Sequence, residues 1–254
     1  MDNPYCEVNE VPVETVPVPA YTPTEHDTWK RLLAKQESLL EGRACRPFID
    51  GVRDIAFPKD RIPSLSEVSQ RIEKHTGWKL IRVDGLVRSP EFFGLLSRRI
   101  FPSTDFIRKP EDLDYTPAPD MFHDLFGHAP LLTNPDFTEF FEAFGHIGAR
   151  AYRNHPDPEH EIHKRLSRIY WYTVEFGLIR TSSGLRAYGS GSCSSPQELQ
   201  FCVSDQCRHH PFDVDVIAAR DYDIWKLQED VFVIESFPQL GGEFRRWAGK
   251  QGLL

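Results

Sequence analysis

His123 and His128 sit five positions apart in Pro119-Asp120-Met121-Phe122-His123-Asp124-Leu125-Phe126-Gly127-His128-Ala129-Pro130, among apolar residues that cannot all face water. An imidazole in such surroundings needs a hydrogen-bond partner or a metal, and two hydrogen-bonded core histidines are the simpler arrangement. Spacing alone does not choose between them. At about 100° per residue, five steps leave two side chains about 140° apart on a regular α-helix. The pair converges only if the helix is distorted or ends near Gly127. The H-E-x-x-H pattern of zinc proteases is one residue shorter and has Glu after the first His. Asp124 and the longer gap stand here instead, which excludes that chemistry.

Glu175 is the only charge in Ile169-Tyr170-Trp171-Tyr172-Thr173-Val174-Glu175-Phe176-Gly177-Leu178. On a helix its neighbours three and four positions away are Trp171, Tyr172, Leu178 and Ile179. An ionised carboxylate desolvated there costs several kcal/mol unless it is paired or metal-bound. A salt bridge to an arginine is one answer. Two histidines and one acid taken together offer another, the facial set that leaves three metal positions open and suits Fe(II) activating O₂.

A second group of potential ligands is Cys202, Cys207, His209 and His210. Its spacing, C-x4-C-x-H-H, lies outside the usual structural zinc patterns, and adjacent histidines rarely reach one metal. A non-enzymatic zinc protein built on this cluster is the rival from a different functional class. The five cysteines, Cys6 and Cys45 among them, are odd in number in a chain too long to need stapling, so free thiols are expected.

The elements that must position these groups are mostly helices. Residues 1–23 form an extended proline-rich arm whose valines can lie along the body, and 24–254 form one catalytic domain. Thr22-Pro23-Thr24-Glu25 and Ser64-Leu65-Ser66-Glu67 are capping boxes that open helices, with Gly42 and Gly77 as stops. Ser89-Pro90-Glu91 and Asn134-Pro135-Asp136 open two more, the second running into Phe137, Phe140, Phe141 and Phe144 at helical spacing, a core stripe. Helices are also predicted over 161–179 and 213–221, and strands over Lys79–Val83 and Val231–Ile234. The fold class is mainly α with a few short β-strands. Regularly spaced alternating strands are missing, which excludes the double-stranded β-barrel of the 2-oxoglutarate dioxygenases, although those enzymes share the ligand set.

A net charge of −8 without any Lys/Arg run argues against a nucleic-acid partner. No apolar stretch approaches the roughly 20 residues that cross a bilayer, and Met1-Asp2-Asn3-Pro4-Tyr5 is no signal peptide, so a cytoplasmic protein is expected.

Several ordered stretches resemble the pterin-dependent aromatic amino acid hydroxylases, and within them the short bacterial branch acting on phenylalanine. They are Phe106-Ile107-Arg108, Tyr115-Thr116-Pro117-Ala118-Pro119-Asp120, the two ligand segments quoted above, and Ala187-Tyr188-Gly189-Ser190-Gly191 reaching on to Ser194-Ser195. The resemblance spans about Pro63 to Phe237 and implies a bare catalytic domain, monomeric, of that family's fold. It implies His123, His128 and Glu175 as Fe(II) ligands. It also implies Arg108 as partner of the substrate carboxylate, with Thr116, Gly191 and Ser194 beside it and Trp171 lining the ring pocket. Asp120 and Ser194 would support the ligands. Read alone, Arg108 between Lys109 and Glu111 looks like a surface residue.

Gly85-Leu86-Val87-Arg88-Ser89-Pro90-Glu91-Phe92 is similar to the family's tetrahydropterin loop, which implies cofactor contacts from Gly85, Val87, Ser89 and a stacking Phe92, with Asp124 nearby. Phe92 read alone is the first core residue of a helix. Asp124 stands where the family often has Glu, and Pro102 where the animal phenylalanine enzymes have His. The implied reaction is hydroxylation of L-phenylalanine to L-tyrosine by O₂, with tryptophan hydroxylation as the alternative. Its implied partners are the amino acid, O₂, a tetrahydropterin and the enzymes that recycle it.

Overall fold

The computed structural model describes residues 19–83, 87–113 and 119–254, and the backbone alone of Tyr5, Cys6 and Leu86. Most of the expected arm therefore lies outside the described residues, as do Gly85 and Thr116. Strand β1 (Tyr5–Cys6) precedes helices α1 (Pro23–Leu40), α2 (Arg46–Ile55) and α3 (Leu65–Thr76). Both capping boxes form: Thr22 accepts from the Glu25 amide while Glu25 Oε2 accepts from the Thr22 amide, and Ser64 and Glu67 do the same for α3. Gly77 closes α3 in the left-handed region at φ 77°. Helix α2 was not foreseen from the sequence; its half-buried amphipathic stretch starts on a Cys45 that makes no side-chain cap.

Strand β2 (Lys79–Arg82) ends one residue before the expected limit, and β3 (Leu86–Val87) pairs in parallel with β1. Helix α4 (Ser89–Leu96) has Arg88 at its N-cap, so Ser89 is its first residue and not its cap. Strand β4 (Ile100–Ser103) runs parallel to β2. Helix α5 (Pro135–Asn154) starts where Asn134 accepts from the Phe137 amide. Its phenylalanine stripe is core, as expected: Phe144 stacks on Phe244 at 4.8 Å between ring centres and Phe141 on Trp78 at 5.3 Å. Each such ring contributes about 1.5–3 kcal/mol on burial.

The helix predicted over 161–179 is shorter than expected. Helix α6 (Glu161–Tyr170) passes into a π-helical turn, Trp171–Glu175, and Leu178 already belongs to strand β5 (Leu178–Thr181). The chain leaves helical geometry at Phe176 because the amides of Tyr188 and Gly189 bond the Gly177 carbonyl and draw the segment into the sheet. Sheet pairing here overrides local helical preference. Strand β6 (Gly184–Ala187), helices α7 (Ser190–Ser194) and α8 (Pro196–Cys202), strand β7 (Arg208–Pro211), helix α9 (Val214–Ala219), strand β8 (Asp230–Ile234) and helix α10 (Phe237–Lys250) complete the order. Strands β5 to β8 form one sheet in the order β6-β5-β8-β7, antiparallel only between β5 and β6. Helix dominates around small sheets, so the expected mainly α class holds. No described helix is long and apolar enough to cross a membrane.

Candidate active site

The convergence that a regular helix denies to His123 and His128 comes from a change of helix type. Residues His123–His128 are π-helical, and closure from i to i+5 brings the fifth residue back to the face of the first. The two Nε2 atoms stand 3.0 Å apart. Glu175, at the end of the second π-helical turn, places Oε2 3.6 Å from His123 Nε2 and Oε1 3.3 Å from His128 Nε2.

Helix α7 locks this arrangement from behind. A Cβ on Gly127 would lie 2.8 Å from the Ser190 carbonyl oxygen, so glycine there lets α7 sit against the π-helical turn. Ser194 Oγ donates to the Ser190 carbonyl oxygen at 2.7 Å and contacts His123 Nδ1 at 2.9 Å. The single hydroxyl proton is spent on the carbonyl, so Nδ1–H is the donor to Ser194 and the Nε2 lone pair points at Glu175 and His128. Ser190 Oγ donates to Glu175 Oε2 at 2.8 Å.

Among the described residues this is the one group of three or more His, Cys, Asp or Glu donors that converges, with all ligand atoms within 4.8 Å of each other. Its chemistry fits a divalent iron. Donors sharing an octahedral cation at about 2.1 Å stand about 3 Å apart along an edge, close to the separations found. Burial drives His123 down to about 4, so its imidazole is neutral near pH 7. Burial alone would raise the Glu175 carboxyl, but the two imidazoles and the Ser190 hydroxyl outweigh it and hold the group down to about 2. Neutral imidazole and ionised carboxylate are the protonation states that metal ligation requires.

Two cavities meet at this triad: His123 and Glu175 line both, and His128 lines only the smaller. The larger, about 540 Å³, is lined by Arg108, Trp171, Gly191, Ser194 and Glu198 besides His123 and Glu175. Arg108 is buried, contrary to its surface appearance in sequence, because Asp120 draws it inward: Arg108 Nε and its backbone amide each donate to Asp120 Oδ2 at 2.9 Å, and Nη2 donates to Oδ1 at 2.8 Å. The opposite Nη1–Nη2 edge keeps its hydrogens uncommitted among the described residues and can receive a second carboxylate. Asp120 Oδ1 also accepts from the His123 amide, tying the guanidinium to the metal-ligand turn. Burial raises the Asp120 carboxyl but the Arg108 contacts outweigh it and leave it below its ordinary value. Trp171 is half-buried, stacks on Tyr222 at 4.4 Å and donates its indole N–H to Gln228 Oε1 at 2.6 Å. Gly191 is required where it stands, since a Cβ would meet the Phe176 ring at 2.8 Å.

The second cavity, about 240 Å³, is lined by Val87, Ser89, Phe92, Phe101 and Asp124 on the His128 side. Phe92 is half-buried, edge-on to Tyr170 at 5.7 Å, while its neighbour Phe93 takes the core position on α4. Pro102 also lines this cavity. Asp124 Oδ2 accepts from the Thr104 amide at 2.7 Å and hydroxyl at 2.9 Å, and burial pushes its carboxyl up to about 6 despite those bonds.

The Cys202–His210 group does not converge on a metal. Among the described residues the cysteines are free. Cys202 and Cys207 point their thiols at backbone carbonyls, His209 Nε2 donates to the Cys202 carbonyl, and His210 Nε2 pairs with Asp230 at 2.6 Å. Tyr170 and Glu198 are among the cavity residues that the sequence did not single out. Tyr170 faces both cavities but reads as one more aromatic in an aromatic run. Glu198 lies in Ser195-Pro196-Gln197-Glu198, which has the look of an exposed helix start; the cap forms, with Ser195 Oγ accepting from the Glu198 amide, yet the carboxylate turns into the cavity.

Fold and site together define a helical protein with a converged two-histidine, one-carboxylate set, able to hold a single iron, where two cavities meet. The chain belongs to the biopterin-dependent aromatic amino acid hydroxylases, whose family model matches residues 9–251. It is 41% identical over 220 residues to the phenylalanine-4-hydroxylase of Pseudomonas aeruginosa, covering 87% of this chain and 81% of that relative. With the phenylalanine-4-hydroxylase of Chromobacterium violaceum it shares 42% over 225 residues, 88% of this chain and 74% of the relative. The Chromobacterium enzyme crystallised with iron(III) and 7,8-dihydrobiopterin superposes with a TM-score of 0.84 at 40% identity, covering 92% and 84% of the two chains. Its iron- and phenylalanine-bound form gives 0.82 at 38% identity, covering 91% and 84%.

Proposed function

We propose that this chain hydroxylates L-phenylalanine to L-tyrosine with O₂, using Fe(II) and a tetrahydropterin. The observation that carries the reading is the convergence of His123, His128 and Glu175 where two cavities meet, with His123 and Glu175 lining both, one cavity presenting the Arg108 guanidinium and the other the Phe92 and Phe101 rings beside His128. Bound iron, with O₂ and the pterin, supplies the oxidising chemistry. The protein supplies position and a dry site. In the larger cavity Arg108 receives the substrate carboxylate on its free edge, with Gly191 and Ser194 in the same lining and Trp171 beside the ring, while Thr116 lies outside the described residues. Asp120 holds Arg108 in place, and Ser194 keeps His123 in the tautomer that offers Nε2.

In the smaller cavity Phe92 would offer the pterin a stacking face, and Val87, Ser89 and Asp124 would hold its edge; Gly85 lies outside the described residues. Each turnover oxidises the pterin, so recycling enzymes must reduce it again. The protein acts as a cytoplasmic monomer with its catalytic domain over 24–254; most of the expected arm over 1–23 lies outside the described residues. The test is product identification after incubation with Fe(II), a tetrahydropterin and phenylalanine, tryptophan or tyrosine in turn. Tyrosine from phenylalanine is expected as the fastest reaction; faster formation of 5-hydroxytryptophan would move the assignment to tryptophan.

A further inference from the structure

A zwitterionic substrate presents two charges, and Arg108 accounts for only one. We propose that Glu198 is the receptor for the α-ammonium group of the amino acid in the larger cavity. The inference rests on the functional reading above, since it presumes an amino acid substrate there. Glu198 projects from the first turn of α8 into the cavity that Arg108 also lines. Among the described residues its carboxylate oxygens accept only the Gln228 amide, at 3.2 and 3.3 Å. No lysine, arginine or histidine among the described residues pairs with it; Lys226, on the same cavity wall, pairs instead with Asp223 at 3.1 Å and is largely exposed.

Burial raises the Glu198 carboxyl to about 7 against the lowering effect of the Gln228 amide. The neighbouring Cys202 and Cys207 thiols, themselves pushed up to about 12 by burial, supply no positive charge in either protonation state. A desolvated carboxylate with one neutral donor is poorly compensated, and an incoming ammonium supplies the missing charge. Arg108 and Glu198 then form a cation and an anion on one cavity, which selects for an α-amino acid over a plain carboxylic acid.

The competing explanation is structural: by holding the Gln228 amide, Glu198 steadies the residue that accepts the Trp171 indole N–H. Glu198→Gln separates the two roles, because a glutamine oxygen still accepts from that amide while the charge is gone. The experiment measures dissociation constants of phenylalanine and of 3-phenylpropanoate, its des-amino analogue, for the iron-loaded protein without pterin, together with kcat/KM in the complete reaction. Glu198→Gln is expected to weaken phenylalanine about tenfold or more, leave 3-phenylpropanoate unchanged, lower kcat/KM for phenylalanine with the affinity, and keep iron content near wild type. Unchanged phenylalanine affinity, or equal weakening of both ligands, overturns the proposal. If Glu198→Gln does not fold, wild-type protein decides: binding 3-phenylpropanoate as tightly as phenylalanine also overturns it. Failure of the functional reading looks different, as absence of tyrosine from the wild-type enzyme whatever the two affinities are.

Discussion

The two cavities meet at one triad and are both lined largely by apolar side chains, yet they hold their charges differently. The larger wall carries buried and half-buried charge, with Arg108 clamped by Asp120 and Glu198 lacking a cation. Among the described residues the smaller has no arginine or lysine in its lining; Phe92, Phe101 and Val87 surround it, with Asp124 as its carboxyl besides Glu175 of the triad. Charge fixes the orientation of a flexible zwitterion, whereas apolar faces suit a flat heterocycle held by stacking and edge contacts. Substitutions should therefore divide by side, and the division can be broken experimentally.

The largest effect is expected where the sides join. His123→Ala, His128→Ala and Glu175→Ala should each abolish iron retention and turnover while circular dichroism still reports a folded chain, because an open-sided three-ligand site cannot spare a ligand. Stoichiometric iron with wild-type turnover in any of them would remove the triad from the assignment.

On the amino-acid side, Arg108→Lys keeps the charge but cannot bond Asp120 and a second carboxylate through two planar edges at once. Loss of a charge-assisted bond is worth about 1.5–3 kcal/mol, so kcat/KM for phenylalanine should fall on the order of tenfold to a hundredfold or more. Iron content and pterin KM should stay normal. Some loss of thermal stability is also expected, since the Arg108–Asp120 pair is buried. An unmoved phenylalanine KM would defeat the docking role.

On the other side, Phe92→Ala should raise the pterin KM about twofold to tenfold, the equivalent of about 0.5–1.5 kcal/mol of stacking, and leave phenylalanine affinity alone. A lowered melting temperature with an unchanged pterin KM would return Phe92 to the core. The smallest effect belongs to the Cys202–His210 region, which serves neither side. Burial keeps both thiols protonated, so alkylation should be slow in the native protein and should release no zinc, with iron content unaffected. One equivalent of zinc freed on thiol modification would revive the structural-metal alternative.

Much of the molecule is legible in residue order because its signals are local. The boxes at Thr22 and Ser64, the Asn134 cap and the phenylalanine stripe of α5 each follow from contacts within a few residues, and each forms where expected. Isolation of Glu175 in an aromatic run is local too, which is why it stands out before any fold is known. Other features depend on partners distant in the chain. The histidine pair reads as divergent on a regular helix, and only the π-helical turn, pressed against α7 some 60 residues later through Gly127, brings the rings together.

Arg108 and Glu198 teach the same lesson in side-chain terms. Flanked by Lys109 and Glu111, Arg108 carries every mark of a solvated residue, and Glu198 every mark of a helix-start acid. Asp120 and the Gln228 amide draw them inward instead. The early end of the 161–179 helix likewise follows from pairing of β5 with β6 and β8. Residue order by itself determined which groups could ligate a metal and where most helices begin, since propensity, capping and hydrophobic period act over one or two turns. Which donors converge, which charges are buried and on which side of the iron site each ends up were decided only by tertiary packing, because desolvation and ion pairing depend on atoms the chain brings together from far apart.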